Sequence, residues 1–331
     1  MPESAFLGLK PGELECAEGP LILSALRVDP PERSVHFHLS LASLSDEGKV
    51  SALNAPPSAE HVRTVMQAAS RLNTEKLTIV AGDGVVHGLV WEPGSLDMHT
   101  HSIDTVVGGE IAQKLPEGDG EKQFRRFIED SVDLLSNLEL NRRRTDEGFP
   151  PLNLLWPWGQ GMRPIAPNLA IKRGTAATFV SRSMRLRGFT RLVGYAHAPS
   201  EWLGNGFNFD AAELFDRVRG FQKGVIVLDS FSRLRAAERV DEGEWLMREI
   251  DNKFFSQWAG PSAKELGRLA ICMPGGWSHP SMPPADASAT GLAMIFDPSR
   301  KESSTVPMDE RALDDARLTT KNLWELIENE L

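Results

Sequence analysis

The segment 156–161, which reads WPWGQG, carries residue types expected of a ligand-binding loop. It overlaps the end of a predicted strand at 153–156, and ligands in open α/β sheets bind just beyond the carboxyl ends of strands. Its two glycines would let the backbone approach a ligand closely, while Trp158 and Gln160 could contact that ligand. The same pattern is also typical of a tight turn with a packed tryptophan, so the sequence leaves both interpretations open.

A run of three arginines at 142–144 is a second candidate, for binding an anion. Arginine suits phosphate because its planar guanidinium donates two parallel hydrogen bonds to one oxyanion. The run follows a predicted helix over 123–140, however, and cations at the end of a helix are stabilised by the helix dipole. Anion binding and a purely structural role therefore remain equal alternatives for these arginines.

Two His-x-His pairs could each begin a metal site, because residues i and i+2 of a strand share a face. They are His36 with His38, and His99 with His101. Neither pair has a third ligand at a recognisable spacing, so histidines on a polar or solvent-facing surface are the favoured interpretation. The sequence also contains no phosphate-binding P-loop, no nucleophile elbow and no HExxH motif.

Composition restricts the classes of partner. The chain has 331 residues, of which 36 are Lys or Arg and 46 are Asp or Glu, so the net charge is −10. This acidic balance argues against nucleic-acid binding, which needs a basic surface, but a local arginine cluster could still hold a small anion. With only Cys16 and Cys272, and no apolar run long enough to span a bilayer, we expect a cytoplasmic protein without disulfides or membrane segments.

Alternating strand and helix patterns predict an α/β protein with a mainly parallel sheet flanked by helices. Apolar and polar residues alternate over 35–41, which is typical of a half-buried strand. Ser58 could cap a helix, and short strands are predicted at 77–81 and 85–91. These elements predict a compact α/β subdomain over 26–118.

A glycine- and charge-rich join at 116–120 marks the end of that subdomain. The remainder of the chain continues the alternation of strands and helices. An amphipathic helix at 320–331 could pack on the core or on a second copy of the chain, so a homo-oligomer is possible. The remaining strands are predicted at 153–156, 176–180, 224–228, 268–273 and 292–296.

Over 141–164 the sequence resembles the archaeal-type cofactor-independent phosphoglycerate mutases. The family's spacing is matched without a gap by Asn141, Arg144, Gly148, Pro151, Asn153 and the WGQG at 158–161. The resemblance implies an alkaline-phosphatase-like core formed by 1–25 and 119–331, with 26–118 as a smaller inserted α/β domain. It also implies a pocket in which Asn141, Arg144, Trp158 and Gln160 bind phosphate, sulfate or a small phosphorylated acid.

The resembled family uses two divalent ions, usually manganese, zinc or magnesium, and a Ser or Thr nucleophile. Ser4 lies near the position where the nucleophile would fall. The family's metal-ligating segments fall on Ser230–Arg235, which reads SFSRLR, on Gly275-Gly276, and near Ala287. These positions lack ligand residues, and Asp286 would serve only if the alignment slipped by one residue. We therefore expect no metal cofactor and no mutase turnover.

These observations favour a degenerate, N-terminally shortened relative that binds a ligand or a partner protein without catalysis. The alternative is an active metal-dependent mutase or phosphotransferase with atypical ligands, for which Ser4, His99, His101 and Asp104 are the candidates. A further alternative is that the family's missing N-terminal segment is supplied by a second chain.

Overall fold

The computed structural model describes residues 7, 9, 13–51, 53, 57–174, 176–204, 209–228, 239–259, 267, 269–273 and 292–296. Contacts between Cα atoms divide the chain into two compact units. The first unit consists of Leu14–Pro167 and Met184–Leu192. The second consists of Met1–Glu13, Asn168–Ser183 and Val193–Leu331.

The strands, in chain order, are β1 (Val35–Leu44), β2 (Val50–Ser51), β3 (Leu77–Asp83), β4 (Val86–Trp91), β5 (Met98–His99), β6 (Glu117–Gly118), β7 (Leu154–Gly161), β8 (Thr178–Ser181), β9 (Ala196–His197), β10 (Gly224–Val227), β11 (Leu269–Met273) and β12 (Leu292–Phe296).

The α-helices are α1 (Glu18–Ala25), α2 (Ala59–Ala69), α3 (Ile103–Val106), α4 (Glu121–Ser136), α5 (Glu139–Asp146), α6 (Leu169–Lys172), α7 (Met184–Leu192), α8 (Ala211–Val218), α9 (Val240–Ile250) and α10 (Ser256–Ala259). Short 3₁₀ turns cover Ser70–Leu72, Ile111–Gln113 and Ser200–Leu203, and a π-helical turn covers Asp251–Phe255.

The first unit is built on a five-stranded antiparallel sheet. Strand β1 lies between β4 and β7, β3 pairs with the far side of β4, and β2 pairs with the end of β1. The strand predicted over 35–41 is thus present, as β1. The mainly parallel sheet is not confirmed, because only Gly84 and Val85 separate β3 from β4, and so short a connection can join only antiparallel strands.

One face of this sheet packs on α2 and α4. Phe37 of β1 lies 4.7 Å from Phe124 of α4, measured between ring centroids, and Trp91 of β4 meets Phe124 edge-on at 5.2 Å. Ser58 caps α2 by accepting a hydrogen bond from the backbone of His61. The helix that the sequence predicts after Ser58 is thus present, and its buried face consists of Val62, Val65, Met66 and Ala69.

The other face of the sheet is covered by α1, which in turn packs against α7. A Cβ on Gly88 of β4 would lie 2.4 Å from Leu23 Cδ2, so α1 rests directly on that strand. The hydroxyl of Ser24 donates to the carbonyl of Gly188 at 3.1 Å, which ties α1 to α7.

Parallel pairing occurs in the second unit, where β8 lies between β10 and β9. Helices α8 and α9 contribute to the core of this unit, with Leu214, Phe215, Leu246 and Phe254 buried there. Among the described residues, no helix has the length and apolar character needed to cross a membrane.

The predicted division at 26–118 stays a prediction. The first unit contains residues from both sides of that division, since β1 pairs with β7 over much of its length.

Candidate functional site

The WPWGQG segment is not a loop but the continuation of strand β7. Between His36 and His38 the pairing of β1 with β7 shifts, which leaves one extra residue on β7. Gly159 at this bulge has φ +65°, a conformation that favours glycine. A Cβ there would lie 2.6 Å from Glu18 Cβ, and one on Gly161 would lie 2.7 Å from Ala17 Cβ. Both glycines therefore let the start of α1 lie close against β7.

Trp158 is half-buried between β1 side chains. Its indole Nε1 donates to Ser40 Oγ at 2.8 Å, and its ring stacks on His38 with centroids 4.6 Å apart. The buried Trp156 similarly donates to the carbonyl of His101 at 2.7 Å. These contacts link β7 to β1 and to the segment that contains His101.

Gln160 connects β7 to the segment around β5. Its amide nitrogen donates to the carbonyl of Met98, and its amide oxygen accepts from the hydroxyl of Thr100. Both polar ends of this side chain are thus bonded to protein groups.

Asn141 is buried and joins α5 to the strand segment that follows it. Its Nδ2 donates to the carbonyls of Leu135 and Leu152 at 2.8 and 3.0 Å, and its Oδ1 accepts from the backbone of Leu152 at 2.7 Å. The side chain is 1% exposed. Its polar atoms therefore satisfy buried backbone groups, as they must in a protein interior.

Arg144 is also mostly buried, at 8% exposed. Its Nε donates to the carbonyl of Pro150 at 3.0 Å, its Nη1 lies 3.2 Å from His61 Nδ1, and the guanidinium lies over the ring of Phe149. Burial lowers the pKa of Arg144, and the nearby carboxylate of Glu147 partly opposes that shift. Among the described residues, no hydrogen bond or ring contact joins Arg144 to Trp158 or Gln160.

The segment predicted as a single helix over 123–140 forms two helices, α4 and α5. The arginine run lies on α5, where Arg142 and Arg143 are exposed and only Arg144 turns inward. Ser4, the nucleophile candidate, lies outside the described residues.

Three histidines of the sheet have restricted access to solvent: His36 and His87 are buried, and His38 is half-buried. The expectation of polar or solvent-facing surface positions for His36 and His38 is therefore wrong for His36. Burial lowers the pKa of His36, His38 and His87 to about 4 each. Both ring nitrogens of His38, one nitrogen of His36 and one of His87 are buried, and no group in the described part of the chain forms a hydrogen bond with them. His87 Nδ1 accepts from the backbone of Gly82 at 2.9 Å. Alternation in the sequence could not reveal the burial of His36, because that burial comes from α1, a helix that lies beside His36 in the fold.

The described part of the chain offers no donor set for two divalent ions. Within it, no three His, Cys, Asp or Glu side chains come together in a group that could hold a metal, and this includes His99, His101 and Asp104. The segments that replace the family's ligands, at 230–235, 275–276 and 286–287, lie outside the described residues.

A pocket that the sequence did not reveal lies in the first unit, beside α1. Its polar lining comprises Ser24, Asp29, His36, Arg163 and Arg191. Arg163 follows the WPWGQG segment closely, but Arg191 lies on α7, and only the packing of α7 against α1 brings the two arginines into one pocket.

Comparison with known proteins shows what the chain resembles. A probable 2,3-bisphosphoglycerate-independent phosphoglycerate mutase of Geobacter sulfurreducens is 26% identical over 190 residues, which are 56% of this chain and 47% of that protein. A 2,3-bisphosphoglycerate-independent phosphoglycerate mutase of Methanothrix thermoacetophila is 24% identical over 196 residues, 58% of this chain and 48% of that protein. No protein-family model matches the chain.

Two solved structures are similar in fold. The cofactor-independent phosphoglycerate mutase of Thermoplasma acidophilum superposes with a TM-score of 0.54 at 14% identity, covering 99% of this chain and 85% of its own. The PH0037 protein of Pyrococcus horikoshii gives a TM-score of 0.51 at 16% identity, covering 81% of this chain and 66% of its own. At such identities the likeness concerns the fold alone.

The resemblance to cofactor-independent phosphoglycerate mutases is therefore confirmed, with a mixed α/β fold similar to theirs. The chain spans about half the length of the curated relatives it matches.

Proposed function

We propose that this relative of the phosphoglycerate mutases binds a small phosphorylated acid and does not catalyse metal-dependent phosphoryl transfer. The observation that carries the proposal is the sequence at the positions where the resemblance to these mutases places their metal ligands. The resemblance implies metal-binding acids and imidazoles at 230–235 and 275–276, where the chain reads SFSRLR and Gly-Gly. Two dications need several anionic or imidazole ligands to offset their charge.

The contacts of the matched motif support this proposal. Hydrogen bonds from three of its side chains link separate segments of the chain: those of Asn141, Trp158 and Gln160. Gly159 is required by the bulge and by the close approach of α1. The motif would thus be kept for packing reasons even in a protein without turnover.

Arg144 remains the proposed anion-binding residue of this motif. Its guanidinium is held by the Pro150 carbonyl and by His61, so it is fixed in place rather than free to sample rotamers. A phosphorylated acid would have to bind the face or the nitrogen of the guanidinium that takes no part in these two contacts.

An active mutase or phosphotransferase is the second candidate, favoured by the names of the relatives. Ser4 would then be the nucleophile, and metal ligands would come from atypical positions or from a partner chain. Conversion of 3-phosphoglycerate to 2-phosphoglycerate by the purified full chain with manganese would favour this candidate over the first.

Titration of the full chain with 3-phosphoglycerate by calorimetry tests the binding proposal. We expect saturable binding that is weakened about tenfold or more in Arg144→Ala, because a charged hydrogen-bonding partner is lost. Arg143→Ala, which removes an exposed arginine from the same helix, is the control and should bind like wild type. Equal saturation by wild type and a folded Arg144→Ala would remove Arg144 from the proposal.

The finer description of the fold is also proposed: an alkaline-phosphatase-like core with 26–118 inserted. The glycine-rich join at 116–120 supports it. Limited proteolysis with its first cut in this join would favour the division, and first cuts within β1 or β7 would contradict it.

The low cysteine count supports the proposed cytoplasmic location. Size-exclusion chromatography with light scattering would test the proposed homo-oligomer.

A further inference from the structure

The pocket beside α1 is separate from the matched motif at 141–161. It lies between α1, the turn at 28–30, the start of β1 and α7, and it leaves about 40 Å³ for water. That space holds roughly three water molecules, which is the size range of a small oxyanion. None of Asn141, Arg144, Trp158 or Gln160 lines it.

Two arginines make the pocket attractive to an anion. Arg163 pairs through Nη1 with Asp29 at 2.7 Å, so one of the two positive charges is partly balanced. Arg191 has a buried Nη1 without a hydrogen-bond partner among the described residues. The lining therefore carries one positive charge in excess, together with a donor that has no acceptor within the described ranges of the chain.

The neutral polar side chains of the pocket, Ser24 and His36, offer acceptors rather than donors. The hydroxyl of Ser34 gives its one proton to the Pro31 carbonyl, so at the 2.9 Å contact between Ser34 Oγ and His36 Nε2 the imidazole must be the donor. With the proton on Nε2, the Nδ1 of His36 carries a lone pair, and no group of the residues that the structure describes bonds to it. His36 is 2% exposed.

Two further observations indicate that His36 and Ser24 act as acceptors toward the pocket. Burial and the charge of Arg163 lower the pKa of His36 to about 4, so the ring is neutral near pH 7. The hydroxyl proton of Ser24 is used on the Gly188 carbonyl at 3.1 Å, which leaves Ser24 only lone pairs to offer.

We propose that this pocket binds a small oxyanion that carries its own hydroxyl group, either a monohydrogen phosphate or a short hydroxy acid. The charged oxygens would lie against Arg163 and Arg191, and the hydroxyl would donate to His36 Nδ1. Sulfate meets only half of this requirement, since it brings charge but no proton to donate. The site does not rest on the function proposed above, because it shares no residue with the Arg144 site.

Calorimetric titration of the full chain at pH 7, in chloride buffer, tests the proposal with four probes: inorganic phosphate, sulfate, glycolate and acetate. We expect inorganic phosphate or glycolate to bind about tenfold or more tightly than its hydroxyl-free counterpart, sulfate or acetate. Phosphate selectivity alone identifies a phosphate group as the ligand, and glycolate selectivity alone identifies a hydroxy acid.

Variants assign the binding to this pocket. Arg163→Gln changes an exposed side chain and is expected to fold, and it should weaken binding about tenfold or more. His36→Phe should remove the preference for the hydroxyl-bearing anion while leaving residual anion binding. Arg142→Gln, an exposed arginine away from the pocket, is the control.

Three results would overturn the proposal. They are the absence of saturable binding by both phosphate and glycolate, equal affinity for anions with and without a hydroxyl, and wild-type affinity in folded Arg163→Gln. Loss of phosphate binding in Arg144→Ala with no effect of Arg163→Gln would place the ligand at the motif instead of in this pocket.

Discussion

Acidification from pH 7 to pH 5 tests the lowered pKa of three histidines in the antiparallel sheet. His36 and His38 lie on β1 and His87 lies on β4, and burial lowers the pKa of each to about 4. In the unfolded chain the same imidazoles titrate near the ordinary value of about 6.5. The folded state therefore disfavours their protonation.

The sign and size of the effect follow from this difference. Because the folded pKa is lowered, each histidine's contribution to the free energy of unfolding is fully present above pH 6.5 and is lost as the pH falls toward 4. By linkage, protonation of each histidine lowers the free energy of unfolding by about 2 kcal/mol between pH 7 and pH 5, and by about 3 kcal/mol between pH 7 and pH 4. Three such losses sum to about 6 kcal/mol at pH 5, comparable to the whole stability of many domains.

His38→Phe isolates one of these contributions. Both ring nitrogens of His38 are buried, with no hydrogen-bond partner among the residues described, and the ring stacks on Trp158. A phenyl ring therefore keeps the stack and removes the titration. We expect urea unfolding, followed by tryptophan fluorescence and circular dichroism, to show wild type losing about 2 kcal/mol more than His38→Phe between pH 7 and pH 5. His99→Gln, at an exposed histidine, is the control and should follow wild type.

An unchanged pH dependence in folded His38→Phe would refute this reasoning. It would mean that the His38 ring reaches water in solution and that the stack on Trp158 does not exclude solvent.

Two further substitutions test the packing of the matched motif by urea unfolding. Gly159→Ala should lower the free energy of unfolding by about 1–3 kcal/mol more than Gly148→Ala does. Both glycines have positive φ, but only a Cβ at position 159 would meet Glu18. Equal losses in the two variants would contradict the close approach of α1. Asn141→Ala should lower the free energy of unfolding by about 2–4 kcal/mol, because three buried backbone groups lose their partner. Asn137→Ala, at the exposed end of α4, is the control and should change it by no more than about 0.5 kcal/mol. Similar small losses for both asparagines would show that Asn141 does not brace α5.

Local patterns predicted individual elements better than their arrangement. Alternation over 35–41 identified β1, and the cap at Ser58 identified α2. The direction of the sheet was missed because alternation does not distinguish parallel from antiparallel strands. The Asp83-Gly84 pair, at which β3 ends and the two-residue turn begins, was a signal that could have predicted antiparallel pairing.

The candidate site was predictable as a motif but not as a set of contacts. The spacing from Asn141 to Gly161 correctly indicated the related mutases. That Gly159 makes room for Glu18, or that Trp158 stacks on His38, depends on contacts between segments distant in sequence. For the same reason the pocket of His36, Arg163 and Arg191 left no local pattern in the sequence.

Metal binding by the purified full chain is the most direct measurement of whether this relative of the mutases has lost their chemistry. After equilibration with manganese and dialysis, we expect well under one equivalent of bound metal per chain, no metal-dependent rise in Tm, and no 2-phosphoglycerate formed from 3-phosphoglycerate. Two equivalents of tightly held manganese accompanied by mutase turnover would contradict the proposed loss of catalysis.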